Sequence, residues 1–316
     1  MYPFIFNNES FMFDIIGDIH GHADELIALL GELGYSQRDG IYGHSERKVI
    51  FLGDFVDRGP KIREALEIVR GMIETDAALT VMGNHELNAM AFHMPHPDRP
   101  GEYVRPHTPK NEKQHGQTLI QLSDSQLSDA LTWFRTLPMW LELDGLRAVH
   151  ACWDDAEIGQ IANQLQKSGG LTDEVLAAAC LPDGALFASI EVVLKGKEMQ
   201  LPQGYSFQDK DGHERTKTRT RWFLAAAGHT FGSYAMTDEL DCDIPLSDDV
   251  RRASRPYGET EKPVFLGHYW LKQATPKRLA RNVACVDYSV AKGGFLCAYR
   301  WDGEQELCDE NFVYVR

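Results

Sequence analysis

No run of apolar residues in this 316-residue chain approaches the roughly 18 to 20 that a membrane-crossing helix requires. With 43% hydrophobic and 25% charged residues, a soluble protein is expected. Met1 to Ser10 carry Asn and Glu where an export signal would place a basic start and a long apolar stretch, so a cytoplasmic setting is expected. Cysteine is sparse: six residues, widely scattered and without a Cys-x-x-Cys pair, exclude a disulfide framework and read as reduced thiols in core packing. Positive charge is also short. Against 47 Asp and Glu stand 32 Lys and Arg, a net charge of −15, which argues against broad binding to nucleic acid or anionic membranes. Any site that handles an anion must then draw its positive charge from metals and a few arginines. The chain also lacks a P-loop, a nucleophile elbow, internal repeats and low-complexity tracts.

Three short strings at the ends of successive apolar runs stand out: Gly17-Asp18-Ile19-His20-Gly21, Gly53-Asp54-Phe55-Val56-Asp57-Arg58-Gly59 and Gly83-Asn84-His85-Glu86. Each sets oxygen or imidazole ligands between glycines, so that a sharp turn aims side chains just past a strand end. Phe11 to Ile16, Lys48 to Leu52 and Ala78 to Met82 read as strands, with amphipathic helices behind the first two strings. Three βα units in a row predict an α/β layered fold with its functional loops at the carboxyl ends of the strands. Residues 93–117 read as a long loop holding His93, His96, His107 and His115, and Leu119 to Leu137 as a helix. Strands resume at Leu146 to Val149, Pro263 to Leu266, Val283 to Val286 and Phe295 to Tyr299. Residues 1–151 and 263–316 are therefore expected to form the core, and 152–262 a mainly helical insertion or cap that governs substrate choice.

The strings suit a pair of divalent metals that hold a phosphate, activate a water and stabilise attacking and leaving oxygens. Such a pair needs a bridging ligand, and a carboxylate has two oxygens and the right charge; Asp54 takes this role, with Asp18 and His20 on one metal and Asn84 on the other. His150 and His268 each follow an apolar strand and can complete the second metal; His229, in a rival Gly-His pair, follows an Ala-rich run that reads as helical. Mixed nitrogen and oxygen ligands suit Mn, Fe, Zn or Co better than Ca. Arg58 offers a planar fork to phosphate oxygens, and His85 is placed to protonate a leaving alkoxide, with Asp57 to orient it. Arg221, with Arg219 beside it, and Tyr288 are further candidates for substrate contact, against the plainer readings of an exposed basic edge and ordinary packing.

The motif order, completed by His150-Ala151 and Gly267-His268, resembles the calcineurin-like metallophosphoesterases of the phosphoprotein phosphatase type, over residues 13 to about 90, 146–151 and 263–300. The resemblance implies a central β-sandwich flanked by helices, and two metals of which Mn is the first expectation, with Fe, Zn, Co or Ni as alternatives. It implies Asp18, His20 and Asp54 on the first metal and Asp54, Asn84, His150 and His268 on the second, with attack by a metal-bound hydroxide. It likewise implies Arg58 as phosphate clamp and the His85 and Asp57 pair as proton donor. Gly267-His268-Tyr269-Trp270 lacks the second histidine of the broader superfamily's Gly-His-x-His, which favours the branch of Ser/Thr phosphatases and symmetrical diadenosine tetraphosphate hydrolases. Asp287-Tyr288-Ser289 lies where the Ser/Thr phosphatases carry a site tyrosine, so a phosphoprotein is the first substrate expected and a dinucleoside polyphosphate the second. A non-catalytic phosphate-binding scaffold is the rival from another class.

Overall fold

The computed structural model describes residues 12–182, 184–208 and 212–316; the readings placed on Met1 to Ser10 and on Phe11 lie outside them. Two sheets face each other. The larger takes β1 (Met12–Ile16), β2 (Arg47–Phe51), β3 (Ala78–Thr80), β8 (Asp287–Tyr288), β9 (Phe295–Trp301) and β10 (Phe312–Val315). Its order is β8-β9-β1-β2-β3, with β10 also on β9. The smaller sheet has the order β7-β6-β5-β4, built from β4 (Trp140–Glu142), β5 (Arg147–Val149), β6 (Val264–Leu266) and β7 (Val283–Cys285).

β1, β2 and β3 run parallel, with Ile16 beside Phe51 and Phe51 beside Thr80. β5, β6 and β7 are parallel too, so the strands that precede the motif strings all present their carboxyl ends in the manner of open α/β sheets. Ile15, Ile16, Val49, Ile50, Val264 and Phe265 are fully buried, as expected of strands covered on both faces. Phe265 of one sheet meets Tyr299 of the other at 5.1 Å between ring centroids, which locates the core between the layers. Asp14, buried in β1, is held by Arg47 and Arg300 at 3.0 Å each. A buried carboxylate in a sheet is tolerable only when paired in this way.

Helices α1 (Ala23–Glu32) and α2 (Ile62–Glu74) pack beside the larger sheet, and α3 (Asn84–His93) starts at the third string. Residues 94–108 are free of helix, as the loop reading has it, but the rest of the stretch through 134 forms two helices, α4 (Pro109–Gln121) and α5 (Asp124–Phe134). Thr108 caps α4 by accepting from the Asn111 amide at 3.3 Å, and Pro109 occupies its first turn. Ser123 opens α5 with a capping box to Gln126. The polar composition of 109–118 hid α4 from periodicity, because its buried face is not apolar.

In the segment 152–262, α6 (Asp155–Ser168), α7 (Asp173–Cys180) and α8 (Ala185–Lys195) contribute Ile161, Leu176 and Val193 to the main core. Short hairpins and turns follow, and Met199, Phe231, Tyr234 and Leu246 build a small core of their own. No single helix among the described residues is long and apolar enough to cross a membrane.

Candidate metal centre

The loops that leave β1, β2, β3, β5 and β6 converge at one edge of the sandwich. Their backbones interlock: the amides of Ile19 and His20 both donate to the Asp54 carbonyl, at 3.2 and 2.8 Å. Glycine is required where this contact is closest. A Cβ on Gly83 would collide with the Asp54 carboxylate, and one on Gly267 with that of Asp18. His20, Asp54, Asp57, Arg58 and His268 adopt left-handed backbone, with φ between 46° and 70°. Such conformations cost about 1 to 3 kcal/mol each and persist where the surroundings over-determine them, as at functional sites.

Asp54 is the hub. Its Oδ1 accepts the His85 amide at 2.8 Å, while its Oδ2 faces Nε2 of His150 at 3.4 Å, of His20 at 3.7 Å and of His85 at 3.9 Å. Two three-residue groups share it: His20, Asp54 and His85, and Asp54, His150 and His268, the donor atoms within 4.8 Å of one another in each. The Asn84 Oδ1 lies 3.2 Å from the His150 Nε2. Asp18 accepts the His268 amide on both oxygens, at 3.1 and 3.2 Å. The structure thus brings Asp18, His20, Asp54, Asn84, His150 and His268 together, and keeps His229 apart, beside Ser233 at 3.0 Å in an exposed turn.

The donor chemistry fits metal. Nδ1 of His20 donates to the Val56 carbonyl at 2.9 Å and that of His150 to the Leu52 carbonyl at 2.6 Å, so the Nε2 of each is aimed inward. The His20 Nε2 is buried with no hydrogen-bond partner, an orphan that a cation would satisfy. Burial and then the neighbouring His85 hold the His20 pKa down at about 3, and burial with His150 pushes His268 well below its ordinary value. Both rings are therefore neutral and have a lone pair to give. Burial, then Asp287, pushes the Asp18 carboxyl well above its usual range. For His150 burial is outweighed by Asp54, and its pKa rises to about 10. A proton on this ring does the charge compensation that a bound cation would do.

Glu86 anchors the second and third strings to each other, accepting the amides of Asp54 and Phe55 at 2.8 Å and Gly83 at 2.9 Å. Burial and the nearby Asp54 lift its pKa to about 7. Beside the hub, His85 Nδ1 donates to Asp57 Oδ2 at 2.6 Å. Burial opposes ionisation of Asp57, but hydrogen bonds from His115 and His85 prevail and hold its carboxyl well below the usual range. Arg58 lies with its guanidinium carbon 4.2 Å from the centroid of the Trp270 ring, a cation–π contact.

A cleft of about 580 Å³ opens next to His268 and Trp270; Lys217, Arg219 and Lys272 line it together with Glu198, Glu214, Asp238 and Glu239, and Arg219 is paired with Glu198 and Lys272 with Glu239. Arg221 is not among the residues that line it; its Nε donates to the Ala235 carbonyl at 2.9 Å and its Nη2 to Asp238 at 3.3 Å. Tyr288 is buried, stacks on Phe295 at 5.0 Å, and its hydroxyl accepts the Lys277 amide at 3.0 Å; it also lines a second cleft with Lys272, Ser289 and Lys292. Four residues at the site escaped the sequence reading: His115 and Thr118 on Asp57, Trp270 on Arg58, and Asp287, which accepts the Trp270 amide at 2.6 Å. For His115 and Thr118 the missed signal was Thr108-Pro109, a helix start that puts residues 114, 115 and 118 on one face.

Residues 11–164 match the family model of the calcineurin-like phosphoesterases. An asymmetrical bis(5'-nucleosyl)-tetraphosphatase of Bacillus velezensis is 50% identical over 74 residues, 23% of this chain and 30% of that protein. The match therefore spans less than a third of the length of that relative. A symmetrical bis(5'-nucleosyl)-tetraphosphatase of Vibrio campbellii is 25% identical over 302 residues, 92% of this chain and 96% of that protein. A cold-active protein-tyrosine phosphatase of a Shewanella species shares the fold, with a TM-score of 0.50 at 16% identity over 98% of this chain and 81% of that one.

Proposed function

We propose that this calcineurin-like metallophosphoesterase hydrolyses a phosphate ester or phosphoanhydride, with two divalent cations held by Asp18, His20, Asp54, Asn84, His150 and His268. The observation that carries the reading is the buried Asp54 Oδ2, ringed by three imidazole Nε2 atoms at 3.4 to 3.9 Å beside the His85 and Asp57 pair. When bound, the cations would neutralise phosphate oxygens and lower the pKa of a water. The chain's own residues supply the rest. Arg58, its guanidinium carbon 4.2 Å from the Trp270 centroid, would offer its planar fork to the phosphate. His85, with Nδ1 committed to Asp57, keeps Nε2 toward the site to deliver a proton to the leaving oxygen. The mixed donor set favours Mn, Fe, Co, Ni or Zn over Ca, and Mn is our first choice.

For the substrate we favour a dinucleoside polyphosphate over a phosphoprotein. Support comes from the room in the cleft beside His268 and from the relationship over 92% of the chain to a symmetrical tetraphosphatase. The Tyr288 hydroxyl is engaged by the Lys277 amide at 3.0 Å, which weighs against the argument for a phosphoprotein from that residue. Product analysis on the Mn-loaded protein tests this, with Asp54→Asn as the blank. ADP as main product from diadenosine tetraphosphate is expected; ATP with AMP would mean asymmetric cleavage, and phosphate released mainly from a phosphopeptide would reverse the preference. Bound metal with no turnover of either substrate would replace hydrolysis with a phosphate-binding scaffold.

A further inference from the structure

We propose that His115 is a positioning residue for the proton donor: together with Thr118 it clamps the second carboxylate oxygen of Asp57, so that the first stays fixed on His85. The inference rests on the hydrolytic reading above. Asp57 Oδ1 receives His115 Nδ1 at 2.8 Å and Thr118 Oγ1 at 2.7 Å, while Oδ2 receives His85 at 2.6 Å. The Asp57 amide in turn donates to Thr118 Oγ1 at 3.0 Å. A carboxylate bonded through one oxygen can rotate about its terminal torsion, which is broad and soft; bonds to both oxygens remove that freedom.

The design of α4 points the same way. Its only buried residues are His115 and Thr118, so the face it turns inward is polar where an ordinary packed helix would be apolar. On the same side, Gln114 reaches the His85 ring at 3.3 Å, and Gln121 binds the Ile62 amide at 2.7 Å and the Gly59 carbonyl at 2.8 Å. α4 is thus fastened to the loop 57–62 and to His85 by hydrogen bonds rather than by burial. His115 is itself held from behind: with Nδ1–H given to Asp57, its Nε2 accepts from His93 Nε2 at 3.1 Å. That chain of bonds fixes the tautomer of His115 and the plane of its ring.

His115→Leu should lower kcat by about 10- to 100-fold while KM stays within about 2-fold, because the clamp acts on proton delivery and not on phosphate binding. His115→Asn, whose amide can donate from the place of Nδ1, should recover most of the rate, and Thr118→Val should give a smaller loss. The downfield ring N–H resonance of His85 held by Asp57 should be present in the wild type and in His115→Asn, and shifted or lost in His115→Leu. A folded His115→Leu protein with unchanged kcat and an unchanged His85 resonance would overturn the proposal. If the wild type turns over no phosphate compound, the hydrolytic reading falls, and the resonance still decides whether the clamp exists.

Discussion

Asp54 spends its two oxygens on different tasks, one on the backbone of the third string and the other on the imidazoles around it. Asp54→Asn keeps the shape and the acceptor for His85, but sets an amide where three rings and a cation need negative charge. Bound metal, measured by elemental analysis, is expected to fall by at least one equivalent, and turnover by more than about 100-fold, with the circular dichroism spectrum retained. Trp270 meets the Arg58 guanidinium at 4.2 Å and the His20 ring edge-on at 6.2 Å between centroids. A cation–π stack is worth about 0.5 to 2 kcal/mol, so Trp270→Ala should raise KM by roughly 2- to 30-fold with kcat little changed, and Trp270→Phe should recover part of the difference. A fall in kcat at constant KM would show that the ring serves something other than phosphate binding.

At the scale of elements, the loops behind β1, β2 and β3 were legible because each packs its ligand candidates within a few residues of a strand, bracketed by glycines whose missing Cβ the close-packed neighbouring backbone, and at Gly83 the Asp54 carboxylate, needs. His150 and His268 could be read from strand ends in the same way. α4 could not, since it buries histidine and threonine in place of leucine, and the interaction that stabilises it lies about 60 residues away at Asp57. Trp270 was equally silent, because what gives it a role is a guanidinium from another loop. The contact between α3 and α4 carries a pH dependence. Burial, then His115 and His107, hold the His93 pKa down at about 4. The unfolded chain therefore binds this proton first, and stability should be full above pH of about 6.5 and decline as pH falls toward about 4. Urea unfolding at pH 7 and pH 5 should show a larger loss for the wild type than for His93→Asn; equal losses would mean that His93 takes up its proton without cost to the fold.

For the molecule as a whole, cations that bind only the folded chain should stabilise it by mass action. At a free metal concentration of about 100 Kd the gain is about 2.7 kcal/mol, which for a chain of this length raises Tm by about 4 °C, and a chelator should reverse it. Calorimetry with and without Mn checks this, and an unchanged Tm in a protein shown to bind Mn would place the metal outside the cooperative core. The two sheets give this stabilisation a direction. Asp18, His20, Asp54 and Asn84 hang from the larger sheet, His150 and His268 from the smaller, so the centre lies across the seam between them. An occupied centre acts as a clasp on a book: it fastens the covers along one edge and leaves the opposite edge as free to gape as before. Amide hydrogen exchange should then slow together at the carboxyl ends of strands in both layers, and hardly at all at their amino ends.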